Sequence, residues 1–112
     1  MNIVTTQRDG ATVMSIEGRL DGHHAQAAEA AFIALAGEGH TRFVFDFENM
    51  QYISSAGLRV VLVAAKKIRS LQGRLICANM SDQVRDVFEM SGFLSILETA
   101  ASTEEALTLV VS

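Results

Sequence analysis

Short apolar segments alternate with helical segments along most of this chain, and that alternation limits the folds open to it more than any other feature. Arg42–Phe47 is an apolar run between polar neighbours, which predicts a buried strand in the middle of a sheet. Apolar residues at helical spacing follow in Ala56–Leu71, and the pattern repeats with a strand at Arg74–Ala78 and a helix capped by Ser81. Alternation of this kind predicts an α/β fold.

The amino-terminal segment has a different pattern. Residues 3–8 and 12–17 alternate between polar and apolar side chains around Asp9-Gly10, a dipeptide that favours the positive dihedral angles of a tight turn. They predict an N-terminal β-hairpin. The alanine-rich segment from His24 to Leu35 then predicts a helix that ends at Gly37.

The long helix and the carboxyl-terminal segment also carry recognisable signals. Gly73 is predicted to end the long helix, Leu94–Leu97 to form a short strand, and Ser102 with Glu105 to open a last helix as a capping box. The long helix is expected to face the core with Leu58, Val61, Leu62, Ala65 and Ile68. Neighbouring helices are expected to cover Val60, Val63 and Ala64, which otherwise form part of a partner surface.

Length and composition predict one domain over residues 1–112. With 112 residues, 49% hydrophobic and 20% charged, the chain has the size and balance of a self-sufficient globular domain. Its net charge of −4 argues against binding to nucleic acid or to an anionic membrane surface, and we interpret the basic run Lys66–Arg69 as a solvated helix face. No stretch approaches the ~18 apolar residues of a membrane helix, and the single Cys77 fits a reducing compartment. We therefore expect a cytoplasmic protein.

Two adjacent serines, Ser54 and Ser55, stand directly before the long helix. The first turn of a helix has unpaired backbone amides and a partial positive charge, so it accepts a serine oxygen and tolerates a phosphate. One hydroxyl suffices for a cap, and the small Ala56 and Gly57 leave the surface open. Because glycine in a helix costs ~1 kcal/mol relative to alanine, Gly57 indicates either close approach by a partner or tight packing of the helix on a strand.

Three motifs extend over nearly the whole chain. They are Glu17–Asp21, the segment Asp46–Leu58 with its core Tyr52-Ile53-Ser54-Ser55-Ala56-Gly57-Leu58, and Val87–Phe93. Together they resemble the STAS domains, and among these the bacterial anti-sigma factor antagonists. The resemblance implies a single STAS-type domain with an N-terminal β-hairpin, a mixed central β-sheet of about four to five strands and about four α-helices. It also implies a protein that binds partners and catalyses nothing, which agrees with a sequence lacking a nucleophile elbow and a P-loop.

By this resemblance, Ser55 is the phosphoacceptor. Ser54 stands where many family members have Asp and is an alternative acceptor, while Ala56 replaces a second hydroxyl. Asp21 matches an acidic residue that lies near the phosphoacceptor, although capping of the first helix is its other expected role. The predicted partner-binding residues are Asp21, His23, Ser54, Ala56, Gly57 and Leu58. We predict no catalytic residue, no cofactor and no metal site, since the adjacent His23 and His24 lack further ligands at suitable spacing.

The resemblance implies a partner-switching cycle. The unmodified protein binds an anti-sigma factor serine kinase, which frees a sigma factor. The kinase phosphorylates Ser55, and a serine phosphatase of the metal-dependent type resets the cycle. A phosphate adds about −1.5 to −2 charges and should release the partner while leaving the fold unchanged.

Three other interpretations are open. The main alternative is a non-phosphorylated STAS scaffold subunit of a larger transport or sensory assembly, and Ser54 in place of Asp favours it. A phosphoacceptor receiver domain would use Asp46, but the acidic pair and the lysine that hold magnesium and phosphate there are missing. A serine hydrolase using Ser55 with His23 or His40 lacks the flanking glycine elbow.

Overall fold

The computed structural model describes residues 1–111. Its strands are β1 (Asn2–Arg8), β2 (Ala11–Leu20), β3 (Arg42–Asp46), β4 (Met50–Ile53), β5 (Arg74–Ala78) and β6 (Glu98–Ala100). Its helices are α1 (Ala25–Gly37), α2 (Ser55–Ser70), α3 (Asp82–Met90) and α4 (Thr103–Val110). The predicted α/β fold with a mixed sheet and four helices is confirmed. Within the described residues, no helix is both long and apolar enough to cross a bilayer.

The sheet has the strand order β1-β2-β3-β5-β6, with β3 at its centre as predicted. β1 and β2 are antiparallel, and the other pairs are parallel. β2 is long enough to pair twice: Thr12–Ser15 pairs with β3, and Gly18–Leu20 pairs with β4. The sequence pattern did not predict β4, whose pairing places the start of α2 beside the end of β2.

The N-terminal hairpin is confirmed, and its turn has the expected chemistry. Asp9 and Gly10 both have positive φ, 53° and 83°, as a type I′ turn requires. Asp and Gly tolerate these angles better than most residues do.

Two cores lie on opposite faces of the sheet. On the larger one, α1, α2 and α3 cover aromatic and aliphatic strand residues, and Phe45 packs edge to face on both Phe32 and Phe43. On the smaller one, α4 alone covers the strands through Ala106, Leu107 and Val110. Val111 follows the last helical residue and is 38% exposed.

One predicted helix end is confirmed and one is wrong in detail. α1 ends at Gly37 as predicted, and the left-handed residue that follows it is Gly39, with φ of 100°. At the end of α2 the left-handed residue is Gln72, with φ of 60°. Gly73 instead meets the backbone of the neighbouring strand connection, since a Cβ there would lie 2.1 Å from the Thr41 carbonyl oxygen.

The strand predicted at Leu94–Leu97 is also wrong. Phe93–Ser95 form a 3-10 turn, and β6 begins only at Glu98. Gly92, with a left-handed φ of 81°, follows α3 and leads directly into that turn. The apolar run therefore packs as a turn against the larger core.

The buried face of α2 is rotated from the predicted one. Leu58, Val61 and Ile68 are buried as expected, but Leu62 and Ala65 are only half-buried. Val60 and Ala64 are buried in their place, consistent with the packing of α1 along α2. Val63 is half-buried.

Candidate functional site at the start of helix α2

Ser54 is the N-cap of α2. It has extended backbone angles, and its Oγ accepts a hydrogen bond of 3.3 Å from the backbone N–H of Gly57. Its own N–H donates to the Leu20 carbonyl at 3.0 Å, which ties the start of α2 to the end of β2. The Ser54 hydroxyl is half-buried and committed to the cap, an arrangement that stabilises a helix by ~1 kcal/mol.

Ser55 is the first helical residue and has different surroundings. Its side chain is exposed, and its hydroxyl has no hydrogen-bond partner among residues 1–111. It projects from the positive end of the α2 dipole, where a negative group is favoured. Of the two serines, only Ser55 therefore presents a free hydroxyl to solvent.

Gly57 lies where the first turn of α2 packs against the neighbouring strands. A Cβ at this residue would lie 2.4 Å from the Leu20 carbonyl oxygen and 2.8 Å from Ile53 Cγ1. The glycine thus allows tight packing of α2 on β2 and β4. Gly57 and the following Leu58 are both buried, so they support the surface from beneath and offer a partner little contact area.

Asp21 organises the loop between β2 and α1. Its Oδ1 accepts a hydrogen bond from the His23 N–H at 3.1 Å and pairs with His24 Nδ1 at 2.9 Å, while Arg19 Nε lies 3.7 Å from Oδ2. The N-cap position of α1 is His24, which has no side-chain cap, so the expectation that Asp21 caps this helix is wrong. Asp21 instead fixes the turn that precedes the helix.

The environment of Asp21 favours its charged form. Partial desolvation raises the pKa of Asp21, but the hydrogen bond and charge of His24 and the amides of His23 and His24 lower it more. The net result is a pKa below the usual range, so a carboxylate is held beside the start of α2. His23 is exposed, and its ring packs edge to face on His24 with centroids 5.0 Å apart.

The fold brings the predicted loop and the predicted serines together. Leu20 and Ile53 are paired in register, so Asp21 and Ser54 follow at the same edge of the sheet. A Cβ on Gly22 would lie 3.9 Å from that of Ala56, which is van der Waals contact. Asp21, His23, Ser54, Ser55 and Ala56 therefore belong to one continuous region.

Sequence reasoning missed a neighbouring feature, because it depends on β4. Arg19 and Tyr52 are cross-strand partners, and the Arg19 guanidinium lies 4.3 Å from the Tyr52 ring centroid. Tyr52 is 41% exposed and borders a shallow cleft of about 220 Å³ between β4 and α3. Their positions in the motifs hinted at importance, but only the pairing of β2 with β4 joins them.

Asp46, the key residue of the receiver interpretation, has a structural role. Its Oδ1 accepts hydrogen bonds from the Glu48 N–H at 3.0 Å and from Asn79 Nδ2 at 2.9 Å, and Asn79 also donates to Thr103 Oγ1 at 3.0 Å. These bonds connect the ends of β3 and β5 to the start of α4. Among residues 1–111, no group of three or more His, Cys, Asp or Glu side chains is arranged to hold a metal ion.

The topology also bears on the hydrolase interpretation. His40 precedes β3, whereas Ser55 follows β4, and both strands run parallel to β2. His40 thus lies at the opposite end of the sheet, where its Nε2 is 3.9 Å from Glu38 Oε1. Ser55 and His40 do not form a nucleophile–base pair.

Comparison with known proteins identifies the family. The family model for the STAS domain matches residues 2–106. The chain belongs to the STAS domain family. This STAS domain is 42% identical over 106 residues to BtrV of Bordetella bronchiseptica, which is named as an anti-sigma factor antagonist. That match covers 95% of this chain and 91% of BtrV.

More distant relatives are also similar over their full length. The STAS domain is 24% identical over 104 residues to the anti-sigma-B factor antagonist of Staphylococcus aureus, covering 93% of this chain and 96% of the relative. A Thermotoga maritima protein named as an anti-sigma factor antagonist superposes with a TM-score of 0.93 at 17% identity, over 98% and 95% of the two chains. The phosphorylated form of the Bacillus cell fate determinant SpoIIAA superposes with a TM-score of 0.75 at 26% identity, over 97% and 99%. These comparisons confirm the family and its fold.

Proposed function

We propose that this STAS domain is an anti-sigma factor antagonist that binds a kinase-type anti-sigma factor and is released by phosphorylation of Ser55. The observation that carries the proposal is the free, exposed Ser55 hydroxyl at the start of α2, beside a Ser54 hydroxyl that is used as a cap. The names of its relatives support the same role.

The geometry favours Ser55 over Ser54 as acceptor. Phosphoryl transfer requires the acceptor hydroxyl oxygen to lie in line with the γ-phosphate of ATP. Only an exposed side chain can enter a kinase active site in this way. The Ser54 Oγ already accepts the Gly57 N–H in the cap, so a kinase would have to draw this hydroxyl out of that hydrogen bond. Ser55 can receive a phosphate without losing any hydrogen bond to the described residues.

Phosphate at this position acts through charge and not through a change of fold. A phosphate adds about −1.5 to −2 charges near neutral pH, and the N-terminus of the helix tolerates them. The Asp21 carboxylate lies in the same region, so the local surface becomes strongly negative. A partner that docks on the unmodified surface would meet this charge and a new bulky group, and the complex would dissociate.

The cycle requires a step that removes the phosphate from Ser55. We propose that a serine phosphatase of the metal-dependent type removes the phosphate and that the cycle runs in the cytoplasm, where the kinase finds ATP. Within this cycle the chain is a substrate and a binding partner, not an enzyme. The scaffold alternative keeps the same fold but leaves Ser55 unmodified.

The test is phosphorylation by the host's kinase-type anti-sigma factor with ATP, followed by mass spectrometry of wild type, Ser55→Ala and Ser54→Asp. Asp is a good N-cap, so Ser54→Asp keeps the helix start and removes the alternative acceptor. We expect one phosphate on Ser55 in wild type and in Ser54→Asp, and none in Ser55→Ala. A wild-type protein that binds the anti-sigma factor but is never phosphorylated would favour the scaffold role, and phosphate on Ser54 would refute the assignment of the acceptor.

A further inference from the structure

Helix α2 is strongly basic, although the protein is acidic. Arg59, Lys66, Lys67 and Arg69 are four of the nine Lys and Arg residues in the chain, and α2 contains no Asp or Glu. The residues outside α2 thus combine the other five basic side chains with all thirteen acidic ones, a net charge of −8 against −4 for the whole chain. Positive charge is therefore concentrated on one element.

Most of this charge lies on the same face of the helix as Ser55. Residues at i, i+4, i+7 and i+11 follow one line along an α-helix. Ser55, Arg59, Leu62 and Lys66 have that spacing, and Arg69 lies one turn beyond Lys66. The three cations are exposed and Leu62 is half-buried between them. We call Arg59, Leu62, Lys66 and Arg69 the basic stripe.

The cations of the basic stripe are not neutralised. Within residues 1–111, none of the three has an ion pair or a side-chain hydrogen bond, whereas three of the five basic side chains outside α2, those of Arg8, Arg19 and Arg74, lie beside a carboxylate. A solvated helix face usually mixes acidic and basic residues, since pairs four residues apart stabilise it. The helix dipole favours a cation near the carboxyl-terminal end of α2, which explains Arg69. The side chain of Arg59 instead extends toward the first turns of α2, where the dipole disfavours a cation.

We propose that the basic stripe and Ser55 together form the docking face for an acidic patch on a partner protein. This rests on the proposed function and adds the chemistry of the partner: carboxylates grouped around an apolar centre that contacts Leu62. Binding to a broad anionic surface, such as a nucleic acid duplex or a membrane, is disfavoured. Such a surface would also be repelled by the net charge of −8 on the residues outside α2.

The basic stripe also explains why phosphorylation would release the partner. A phosphate on Ser55 lies one turn from Arg59, close enough for an (i, i+4) ion pair. It would neutralise the positive end of the stripe and repel the partner's carboxylates. Docking and release then depend on the same electrostatic field.

The test uses charge reversal at the end of the stripe remote from Ser55. Lys66→Glu and Arg69→Glu lie about three and about four turns from the acceptor, and Arg42→Glu is the matched control. Arg42 is an exposed residue at the start of β3, outside α2 and at the end of the sheet opposite Ser55, and its reversal changes the net charge equally. Association and dissociation rates with the host's kinase-type anti-sigma factor are measured at low and high NaCl concentration, after melting curves have confirmed that each variant is folded.

We expect Lys66→Glu and Arg69→Glu each to slow association roughly tenfold at low salt and to weaken its salt dependence. Lys66→Gln should give an intermediate effect, and Arg42→Glu should change the rate by less than about twofold. If the stripe variants behave like Arg42→Glu while Ser55 is still phosphorylated, the docking proposal is wrong and the proposed function stands. If wild type does not bind the anti-sigma factor, both fail. Binding of wild type to DNA or to phosphatidylserine vesicles that the stripe variants abolish would assign the stripe to that surface and overturn the proposal.

Discussion

Ser54 and Ser55 are adjacent and have identical side chains, but they have different roles at the start of α2. Ser54 still has extended backbone angles, so its Oγ turns back to the Gly57 N–H. Ser55 is the first helical residue, and its side chain points into solvent. Beneath both, Gly57 lets the first turn of α2 rest on the Leu20 carbonyl. The presentation of the candidate acceptor therefore depends on a buried residue.

Gly57→Ala is expected to destabilise the protein, although alanine is the better helix former by ~1 kcal/mol. Its Cβ would lie 2.4 Å from the Leu20 carbonyl oxygen, which is backbone and cannot easily move. We expect a loss of ~1–3 kcal/mol in the free energy of unfolding, measured by urea denaturation. Gly37→Ala on α1 is the control: it has open space and an ordinary φ, so it should be neutral or stabilising. Equal effects at the two positions would contradict the packing role of Gly57.

At the level of elements, Arg74 joins the edge of the sheet to α4. It lies at the start of β5, its Nη2 donates to Glu98 Oε2 of β6 at 2.7 Å, and its Nη1 donates to the Leu109 carbonyl near the end of α4. Because α4 covers its face of the sheet alone and β6 has only three residues, this side chain connects two short elements. A planar guanidinium suits several acceptors at once, as lysine would not.

The Arg74–Glu98 pair predicts a dependence of stability on pH. The hydrogen bond from Arg74 lowers the pKa of Glu98, desolvation opposes it, and the charge of Arg74 adds to the lowering. A lowered folded pKa contributes stability above the unfolded pKa, and that contribution is lost as pH falls through the folded pKa. Glu98→Gln should thus cost less than about 1 kcal/mol at neutral pH, because the pair is exposed. The difference from wild type should shrink as pH falls below the ordinary glutamate pKa of ~4.3 and vanish once the pH is below the folded pKa of Glu98.

Urea denaturation of wild type and Glu98→Gln across this pH range measures the effect. Glu89→Gln is the control, since Glu89 is exposed on α3 and has no ion pair within residues 1–111. A Glu98→Gln difference that persists unchanged into acid would show that the pair contributes nothing through the charge of Glu98.

Across the whole molecule, the two faces of the sheet are covered unequally. Three helices pack on the larger core, and the eight-residue α4 alone closes the smaller one. The candidate site lies where β2, β4 and α2 meet, on the side of the larger core. The smaller core supports β3 and β5 from the other side and so holds the central strands on which the site is built.

Leu107→Ala should therefore destabilise the whole domain and not only α4. Leu107 is 4% exposed and fills the contact between α4 and the sheet. We expect a loss of ~2–4 kcal/mol in the free energy of unfolding, from lost burial and the cavity left behind. Thr108→Ala, on the exposed side of α4, should change it by less than ~0.5 kcal/mol. Unfolding of α4 by itself, seen as two separate transitions in denaturation, would contradict this expectation.

Much of the fold and part of the site could be predicted from local signals in the sequence. The Asp9-Gly10 turn, the central apolar strand predicted at Arg42–Phe47 and the Ser81 cap depend on neighbouring residues. The structure confirms all three, with the strand at Arg42–Asp46. Ser54 and Ser55 could be placed at a helix start for the same reason. The family resemblance then distinguished Ser55, and the cap geometry agrees with that choice.

The features that sequence could not predict depend on distant pairing. Met50–Ile53 are buried only at the two ends of the segment, so β4 lacks the alternation that marks a strand. It exists because β2 extends far enough to pair with it, and the contact between Arg19 and Tyr52 follows from that pairing. The burial of Val60 and Ala64 on α2 likewise depends on an element distant in the sequence, since α1 packs along that helix.

Cys77 is a natural probe of unfolding at the centre of the sheet. Its thiol lies fully buried in β5, and burial raises its pKa to about 12, so a thiol reagent finds almost no reactive thiolate in the native state. The sequence has one cysteine, so labelling occurs at a single known position. The labelling rate therefore measures how often the centre of the sheet opens, without any introduced probe. Comparing this rate before and after phosphorylation would separate an effect on the surface from an effect on the core.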